Sequence, residues 1–145
     1  MNLVEPIRNK SKLEELKEEL KKSGTRNYML FYTGINTGLR ISDIVRLTRD
    51  DIRDVNGNIK SHISLVEQKT KKLKKFPIVN GLYRELETYT KNMYPGEFLF
   101  KSQKGINKPI STSQAYRIIS SAANQVGLTE IGTHSMRKTF RVSSL

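Results

Sequence analysis

Two short stretches of this sequence carry side chains suited to binding an anion. Arg40 stands in GINTGLRISDIVRL, where a Gly-containing turn precedes a predicted helix whose free N–H groups favour negative charge. His134 and Arg137 stand three apart in THSMRKTF and share one face of another predicted helix. A planar guanidinium binds an oxyanion through two parallel hydrogen bonds. Taken alone, each stretch is also consistent with a helix cap beside an ordinary exposed arginine.

A cluster of lysines lies in EQKTKKLKKFP, within a predicted β-hairpin. Its members are Lys69, Lys71, Lys72, Lys74 and Lys75. Such a run is typical of a solvated turn that protects a strand edge or attracts DNA in general. Lys69 differs from its neighbours because we predict it at the end of the first strand, outside the turn proper. Its direction would then be better defined, and it could reach a specific atom.

The charge balance indicates a polyanionic partner. The chain has 145 residues, and its 26 Lys and Arg against 14 Asp and Glu leave a formal net charge of +12. We find no apolar run long enough to span a membrane, no signal peptide and no lipidation pattern. With no cysteine and two distant histidines, the sequence predicts no disulfide, no metal site and no cofactor. We expect one soluble, cytoplasmic domain.

The elements that must position these residues follow from periodicity. SKLEELKEELKK predicts an amphipathic surface helix with Ser11 as its N-cap, Glu14 completing a capping box, and one leucine face. That face consists of Leu13, Leu16 and Leu20. RNYMLFYTGINTG predicts a buried helix that ends at Gly38. ISDIVRL predicts a helix from Ser42, with Asp43 in its first turn, which places Arg40 at a helix N-terminus.

The second half of the chain alternates sheet and helix signals. Residues 59–79 place β-formers on both sides of the lysine cluster, which predicts strand, turn and strand. NGLYRELETYTKNM predicts a helix that ends at Pro95 and Gly96, and STSQAYRIISSAANQVG predicts another between Ser111 and Gly127. The predicted fold class is therefore mostly α with a small antiparallel β-sheet (α+β), in a single domain over residues 1–145.

The order of these motifs resembles a known family. TGLR with ISDIVRL, then EQKT on a hairpin, then HSMR near a later helix start is similar to the catalytic domain of the tyrosine recombinases, also called phage integrases. The resemblance extends from about Val4 to Phe140. It implies a mostly helical domain with a small antiparallel sheet, similar to the type IB topoisomerase core. It also implies DNA breaking and rejoining through a 3′-phosphotyrosine intermediate, and a bacterial or phage origin.

The resemblance implies a role for each matched residue. Arg40 and Arg137 would bind the scissile phosphate, with His134 beside them as acid or base. Lys69 would protonate the departing 5′ oxygen, and Asp43 takes the position where the family often has Glu bracing the first arginine. Two guanidinium groups suit the charge that develops on both non-bridging oxygens, and a positioned proton donor contributes roughly 10²–10⁴-fold. The remaining cluster is expected to bind DNA: Lys71, Lys72, Lys74 and Lys75.

The sequence departs from the family pattern at both ends. No core-binding domain precedes the catalytic-domain pattern, and RVSSL follows HSMRKTF where the family continues to a Tyr nucleophile. Six tyrosines precede His134, and most are expected to pack in or beside the core: Tyr28, Tyr32, Tyr83, Tyr89, Tyr94 and Tyr116. We therefore assign no nucleophile and interpret the chain as a truncated, frame-shifted or fragmentary integrase.

Three functions stay open on the sequence alone. The first is a recombinase catalytic domain, incomplete as written, whose enzyme assignment depends on a nucleophile from elsewhere. The second is a non-catalytic DNA-binding accessory or regulatory module that retains the phosphate clamp. Both predict double-stranded DNA as partner and an oligomer on DNA, with itself or with an intact recombinase. The third is a generic RNA-binding protein, against which stands the absence of an RRM aromatic signature or a KH-type GxxG loop.

Overall fold

The computed structural model describes residues 10–67 and 69–128, and within them it places six helices and one two-stranded sheet. The helices are α1 (Lys10–Ser23), α2 (Thr25–Thr37), α3 (Ile41–Ile44), α4 (Arg49–Ile52), α5 (Asn80–Thr90) and α6 (Thr112–Gln125). The strands are β1 (His62–Val66) and β2 (Leu73–Pro77), which pair antiparallel. The predicted fold class, mostly α with a small antiparallel sheet, is confirmed.

Helix α1 is amphipathic, as predicted, and packs on α2 and α6. Leu16 and Leu20 are fully buried and Leu13 is partly buried. The predicted start of the helix is wrong, because Ser11 lies inside the first turn of α1 and does not precede it. A capping box needs its serine at the non-helical position before the first turn, so none is formed at Ser11.

Helix α2 forms the centre of the core, because its apolar residues run almost continuously and face α1, α3, α5 and α6. The helix ends as predicted at Gly38, which adopts the left-handed conformation with φ 75°. The Gly38 N–H donates to the Gly34 carbonyl at 3.0 Å. Only a residue without Cβ takes this conformation at low cost, so the turn that leads to Arg40 depends on the glycine.

Helix α3 is shorter than predicted, with a single turn at Ile41–Ile44. After it the backbone forms a tighter turn, in which the Arg46 N–H donates to the carbonyl of Asp43, three residues earlier, at 3.2 Å. Helix α4 then begins after Thr48, whose N–H donates to Asp51 Oδ2 at 2.8 Å. The helix predicted over ISDIVRL therefore gives way to a turn at Val45, and α4 begins beyond that stretch. Ile44, Val45 and Leu47 are nevertheless all buried.

The β1–β2 hairpin has one buried and one exposed face. Its register pairs Ile63 with Phe76 and Val66 with Leu73. Ile63 is fully buried, whereas Val66 and Leu73 are exposed. The hairpin packs against α4 through β1, and the Lys60 N–H donates to the Ile52 carbonyl at 2.8 Å. The predicted strand, turn and strand are therefore present, within shorter bounds.

The last two helices close the core. Helix α5 buries Leu82 and Leu86 and ends at Thr90, before the predicted Pro95. Helix α6 begins as predicted after Ser111, whose Oγ accepts from the Gln114 N–H at 3.0 Å, and Gly127 follows it with φ 81°. None of the described helices has the length and hydropathy needed to cross a bilayer.

Candidate phosphate site and lysine hairpin

Arg40 occupies a rigid corner between α2 and α3, which we call the Arg40 corner (residues 38–46). It is the N-cap of α3, with φ −70° and ψ 148°, and its neighbours Leu39 and Ile41 are buried. Its side chain is half-buried, and within the described part of the chain its Nε is buried without a hydrogen-bond partner. Such a donor costs free energy until it is paired, so the corner favours an acceptor at the guanidinium.

The single turn of α3 weakens one argument made from the sequence. A four-residue helix aligns few peptide dipoles, so attraction of an anion to the N-terminus of α3 contributes little beside the guanidinium itself. The contribution of the turn is to hold Arg40 in position. The Asp43 and Ile44 N–H groups both donate to the Arg40 carbonyl at 2.9 Å, which fixes the Arg40 backbone.

Asp43 is completely buried, and its carboxylate pairs with Arg46. Asp43 Oδ1 accepts from Arg46 Nη2 at 2.9 Å, while Oδ2 is buried without a partner in the described chain. Among the described residues, no ion pair or hydrogen bond joins the Asp43 and Arg40 side chains, so the link between the two positions runs through the backbone. A buried carboxylate with one free oxygen can accept a further donor.

Arg46 is a candidate that the sequence analysis missed. It is exposed, and besides its bond to Asp43 its Nε donates to the Ser42 carbonyl at 3.3 Å. The sequence does contain a pattern that predicts this ion pair. Asp43 and Arg46 stand three apart in ISDIVRL, a spacing at which side chains of a helical turn meet. The corner therefore presents two guanidinium groups, of Arg40 and Arg46.

Lys69 lies in the hairpin turn and is exposed, so its predicted position at the end of the first strand is wrong. Strand β1 ends at Val66, and the Glu67 N–H donates to the Lys72 carbonyl at 3.0 Å. The Lys71 N–H in turn donates to the Glu67 carbonyl at 2.9 Å. These bonds close the turn at Glu67, before Lys69 is reached. The proton-donor role of Lys69 stays a prediction.

A buried glutamate organises the turn that carries Lys69. Glu67 is 4% exposed, and its Oε1 accepts from the Thr70 hydroxyl at 3.2 Å. The same Thr70 oxygen accepts from the Lys72 N–H at 3.3 Å. This chain of contacts was not predicted, because the lysines around it make the stretch resemble a fully solvated turn.

The other lysines of the hairpin are exposed cations. Lys74 pairs with Leu65 and Lys75 with Ser64 across the sheet, while Lys71 and Lys72 lie in the turn. In the described ranges, none of these four takes part in an ion pair. Their charges are therefore available to a polyanion.

The tyrosines divide into two groups. Tyr28, Tyr32 and Tyr89 pack in or against the core, as predicted, whereas Tyr83, Tyr94 and Tyr116 are exposed. Burial, assisted by Glu85, raises the pKa of Tyr28 to about 12, and burial likewise raises the pKa of Tyr89 to about 12. A raised pKa makes the phenolate harder to form, and both side chains pack in or against the core, which is consistent with packing roles.

Two predicted site residues, His134 and Arg137, lie outside the described residues. Their convergence with Arg40 and Lys69 stays a prediction. In the described part of the chain, no group of His, Asp and Glu side chains is arranged to hold a metal ion.

Solved structures that share this fold include a lambda integrase and XerA recombinase. Residues 9–143 match the phage integrase family, and the chain belongs to this family. It is 47% identical over 140 residues to the probable integrase/recombinase YoeC of Bacillus subtilis (strain 168), an alignment that covers 97% of this chain and 74% of YoeC.

Two solved structures illustrate the shared fold. XerA recombinase superposes with a TM-score of 0.75 at 22% identity, over 96% of this chain and 49% of that one. A lambda integrase dimer bound to a COC′ core site superposes with a TM-score of 0.73 at 17% identity, over 97% and 52%. The chain thus spans about half the length of the solved proteins that it matches.

Proposed function

We propose that this chain is the DNA-binding catalytic domain of a site-specific tyrosine recombinase, which breaks and rejoins DNA through a 3′-phosphotyrosine intermediate. The observation that carries the proposal is the half-buried Arg40 guanidinium, whose Nε has no hydrogen-bond partner among residues 10–67 and 69–128 and lies on a corner with buried neighbours. Membership of the phage integrase family supports it. So does the similar fold of the lambda integrase dimer, a protein that is bound to a core site in its solved structure.

The proposed chemistry assigns one task to each residue. Arg40 and Arg137 bind the two non-bridging oxygens of the scissile phosphate and stabilise the charge that develops there. Lys69 donates a proton to the departing 5′ oxygen, and His134 assists as acid or base. Asp43 fixes the α3 turn that carries Arg40. The nucleophile is a tyrosine other than the six within these residues, supplied from the rest of the recombinase or by a neighbouring protomer.

DNA binding is proposed to rest on the exposed lysines of the hairpin and on the net charge of +12. The substrate is double-stranded DNA in the cytoplasm, and we propose that the chain assembles on it with itself or with an intact recombinase. No base-specific contact is assigned, because backbone contacts position a protein without specifying sequence.

Complementation of an intact recombinase tests the proposal. The partner is a family member whose own first phosphate-binding arginine has been replaced, so that it retains its tyrosine but cleaves poorly. Incubated together on a nicked suicide duplex, the two chains should form a denaturation-resistant adduct on the partner's tyrosine. An Arg40→Ala version of this chain should not restore the adduct. Firm DNA binding without restoration would instead favour the non-catalytic accessory module.

A further inference from the structure

The loop at residues 101–109 displays an isolated apolar side chain on a well-braced backbone. Ile106 is 94% exposed. The ends of the loop are held by the bridge between Lys101 and Pro109, and the Ser102 N–H donates to the Lys108 carbonyl at 2.6 Å. The loop therefore holds Ile106 in water, at the cost of exposing apolar surface.

The tip of the loop is braced by an asparagine. Asn107 has φ 47°, a left-handed conformation that Asn tolerates better than most residues. Its side chain accepts from the Phe98 N–H at 2.9 Å and donates to the Gly96 carbonyl at 3.1 Å. Gly105, with φ 80°, precedes Ile106. Ile106 therefore stands between two residues in the left-handed conformation.

The surroundings of Ile106 are cationic. Lys104 and Lys108 flank it and are exposed, and the aliphatic part of Lys108 lies over Gly105. From Phe98 to Leu128 the sequence contains Lys101, Lys104, Lys108 and Arg117 and no acidic residue, while Glu97, just before this range, pairs with Lys101. An apolar side chain between two lysines is complementary to a groove that has negatively charged groups along both sides and apolar surface at its base.

We propose that this loop is a second DNA contact, in which Lys104 and Lys108 bind phosphates on either side of a groove and Ile106 enters the groove against the bases. The inference rests on the proposed function, since it takes duplex DNA as the partner. Apolar side chains inserted at base steps, with cations on the flanking phosphates, are an established way to bind a groove. The loop would add apolar contact to a protein whose other DNA contacts are electrostatic.

A second exposed turn offers a matched control. Val55 is 100% exposed in the turn at residues 54–58, where Asp54 Oδ1 accepts from the Asn56 N–H at 2.9 Å and the Asn58 N–H at 3.0 Å. This turn is also ordered and also presents a β-branched side chain. Its neighbours are three aspartates and two arginines, and each arginine is ion-paired, Arg49 with Asp50 and Arg53 with Glu87. Because these cations already have carboxylate partners, we expect this turn not to bind phosphates.

The absence of cysteine in the sequence makes a direct test simple. Ile106→Cys and Val55→Cys each introduce one thiol, and its alkylation by iodoacetamide is timed with and without duplex DNA. At about nine-tenths occupancy, alkylation at position 106 should slow about tenfold because only the free chain reacts. Alkylation at position 55 should not change. Equal rates at position 106 with and without bound DNA, or equal protection at both positions, would overturn the inference.

Affinity measurements separate the loop proposal from the proposed function. Ile106→Ala should weaken binding about five- to tenfold from the lost apolar contact, with no change in the salt dependence. Lys104→Gln should reduce the slope of log K against log salt by about 0.9. If the unmodified chain binds DNA but position 106 is not protected, the loop inference fails and the DNA-binding function stands. If the unmodified chain does not bind DNA, both fail.

Discussion

The Arg40 corner and the lysine hairpin both present cations, but they hold them in different ways. At the corner, Leu39 and Ile44 are fully buried and the Arg40 carbonyl accepts two backbone N–H groups. On the hairpin, the five lysines are exposed, and two of the apolar residues beside them, Val66 and Leu73, are exposed as well. One region fixes a guanidinium, whereas the other spreads charge over a surface.

This difference separates two kinds of binding. A fixed, partly desolvated guanidinium can be aimed at one phosphate and acts strongly in a site of low dielectric. Exposed ammonium groups on long side chains act mainly through counterion release, which is additive and independent of sequence. We therefore expect the corner to govern chemistry and the hairpin to govern affinity, with Lys69 as the residue proposed to belong to both.

The largest expected effect concerns the buried residues that hold the Arg40 corner in place. Leu39→Ala should lower the free energy of unfolding by about 2–5 kcal/mol, because Leu39 is fully buried and its removal leaves a cavity. Leu73→Ala is the matched control on the hairpin, where the side chain is 65% exposed, and it should change stability by less than about 0.5 kcal/mol. Urea unfolding of the two variants measures both, and similar losses would erase the contrast between the regions.

The next effect concerns Arg40 itself. Arg40→Ala should reduce adduct formation in the complementation assay about 10²–10³-fold, as expected for the loss of a group that stabilises the transition state. The slope of log K against log salt for DNA binding should change by only about 0.9, which corresponds to the loss of one phosphate contact. Arg40→Lys should restore the charge but little of the activity, because an ammonium lacks the planar pair of donors.

The control for Arg40 is Arg84→Ala, which removes an exposed arginine from α5. It should leave adduct formation nearly unchanged. An equal loss in Arg84→Ala and Arg40→Ala would mean that general charge, and not the corner, governs the reaction.

How far the sequence predicts these two regions depends on the range of the interactions involved. The end of α2 at Gly38 and the start of α6 at Ser111 were predicted because each is decided by a residue and its helix neighbours. The amphipathic face of α1 was predicted for the same reason. The resemblance to the recombinases, carried by three short motifs in order, is confirmed by the family match.

The failures lie where local signals compete. Helix α3 stops after one turn because the Arg46 and Leu47 N–H groups bond to carbonyls three residues back, and the Leu47 carbonyl then accepts from the Leu99 N–H, a partner distant in sequence. Lys69 lies in the turn because the backbone of Glu67 closes the hairpin one residue after β1. The burial of Glu67 depends on how the hairpin packs, which a lysine-rich stretch of sequence does not indicate.

A smaller effect concerns the charges of the hairpin. If the chain neutralises about six phosphates, the slope of log K against log salt is about −5, and a combined Lys71→Gln, Lys72→Gln, Lys74→Gln and Lys75→Gln variant should reduce it to about −2. Fluorescence anisotropy over a range of salt concentrations measures the slope. Adduct formation at saturating DNA should be little changed, since these lysines are not proposed to touch the reacting phosphate.

The matched control removes the same number of charges from α1. Lys10, Lys17, Lys21 and Lys22 alternate there with glutamates, and Glu14 and Glu18 form ion pairs with Lys17 and Lys21. Replacing these four lysines by Gln should change the slope much less. A slope that falls equally in both variants would show that net charge alone governs binding.

The smallest expected effect asks whether the hairpin tip has any fixed structure of its own. Thr70→Ala removes the hydroxyl that donates to Glu67 Oε1 and accepts from the Lys72 N–H, so the free energy of unfolding should fall by about 0.5–1.5 kcal/mol. Thr70→Ser keeps the hydroxyl and should behave like the parent chain. Hydrogen exchange at the Lys72 amide is the sharper measurement, because this N–H should exchange faster in Thr70→Ala alone. If exchange there is equally fast in all three proteins, the turn is held by neither contact, and Lys69 would then be no better positioned than the lysines around it.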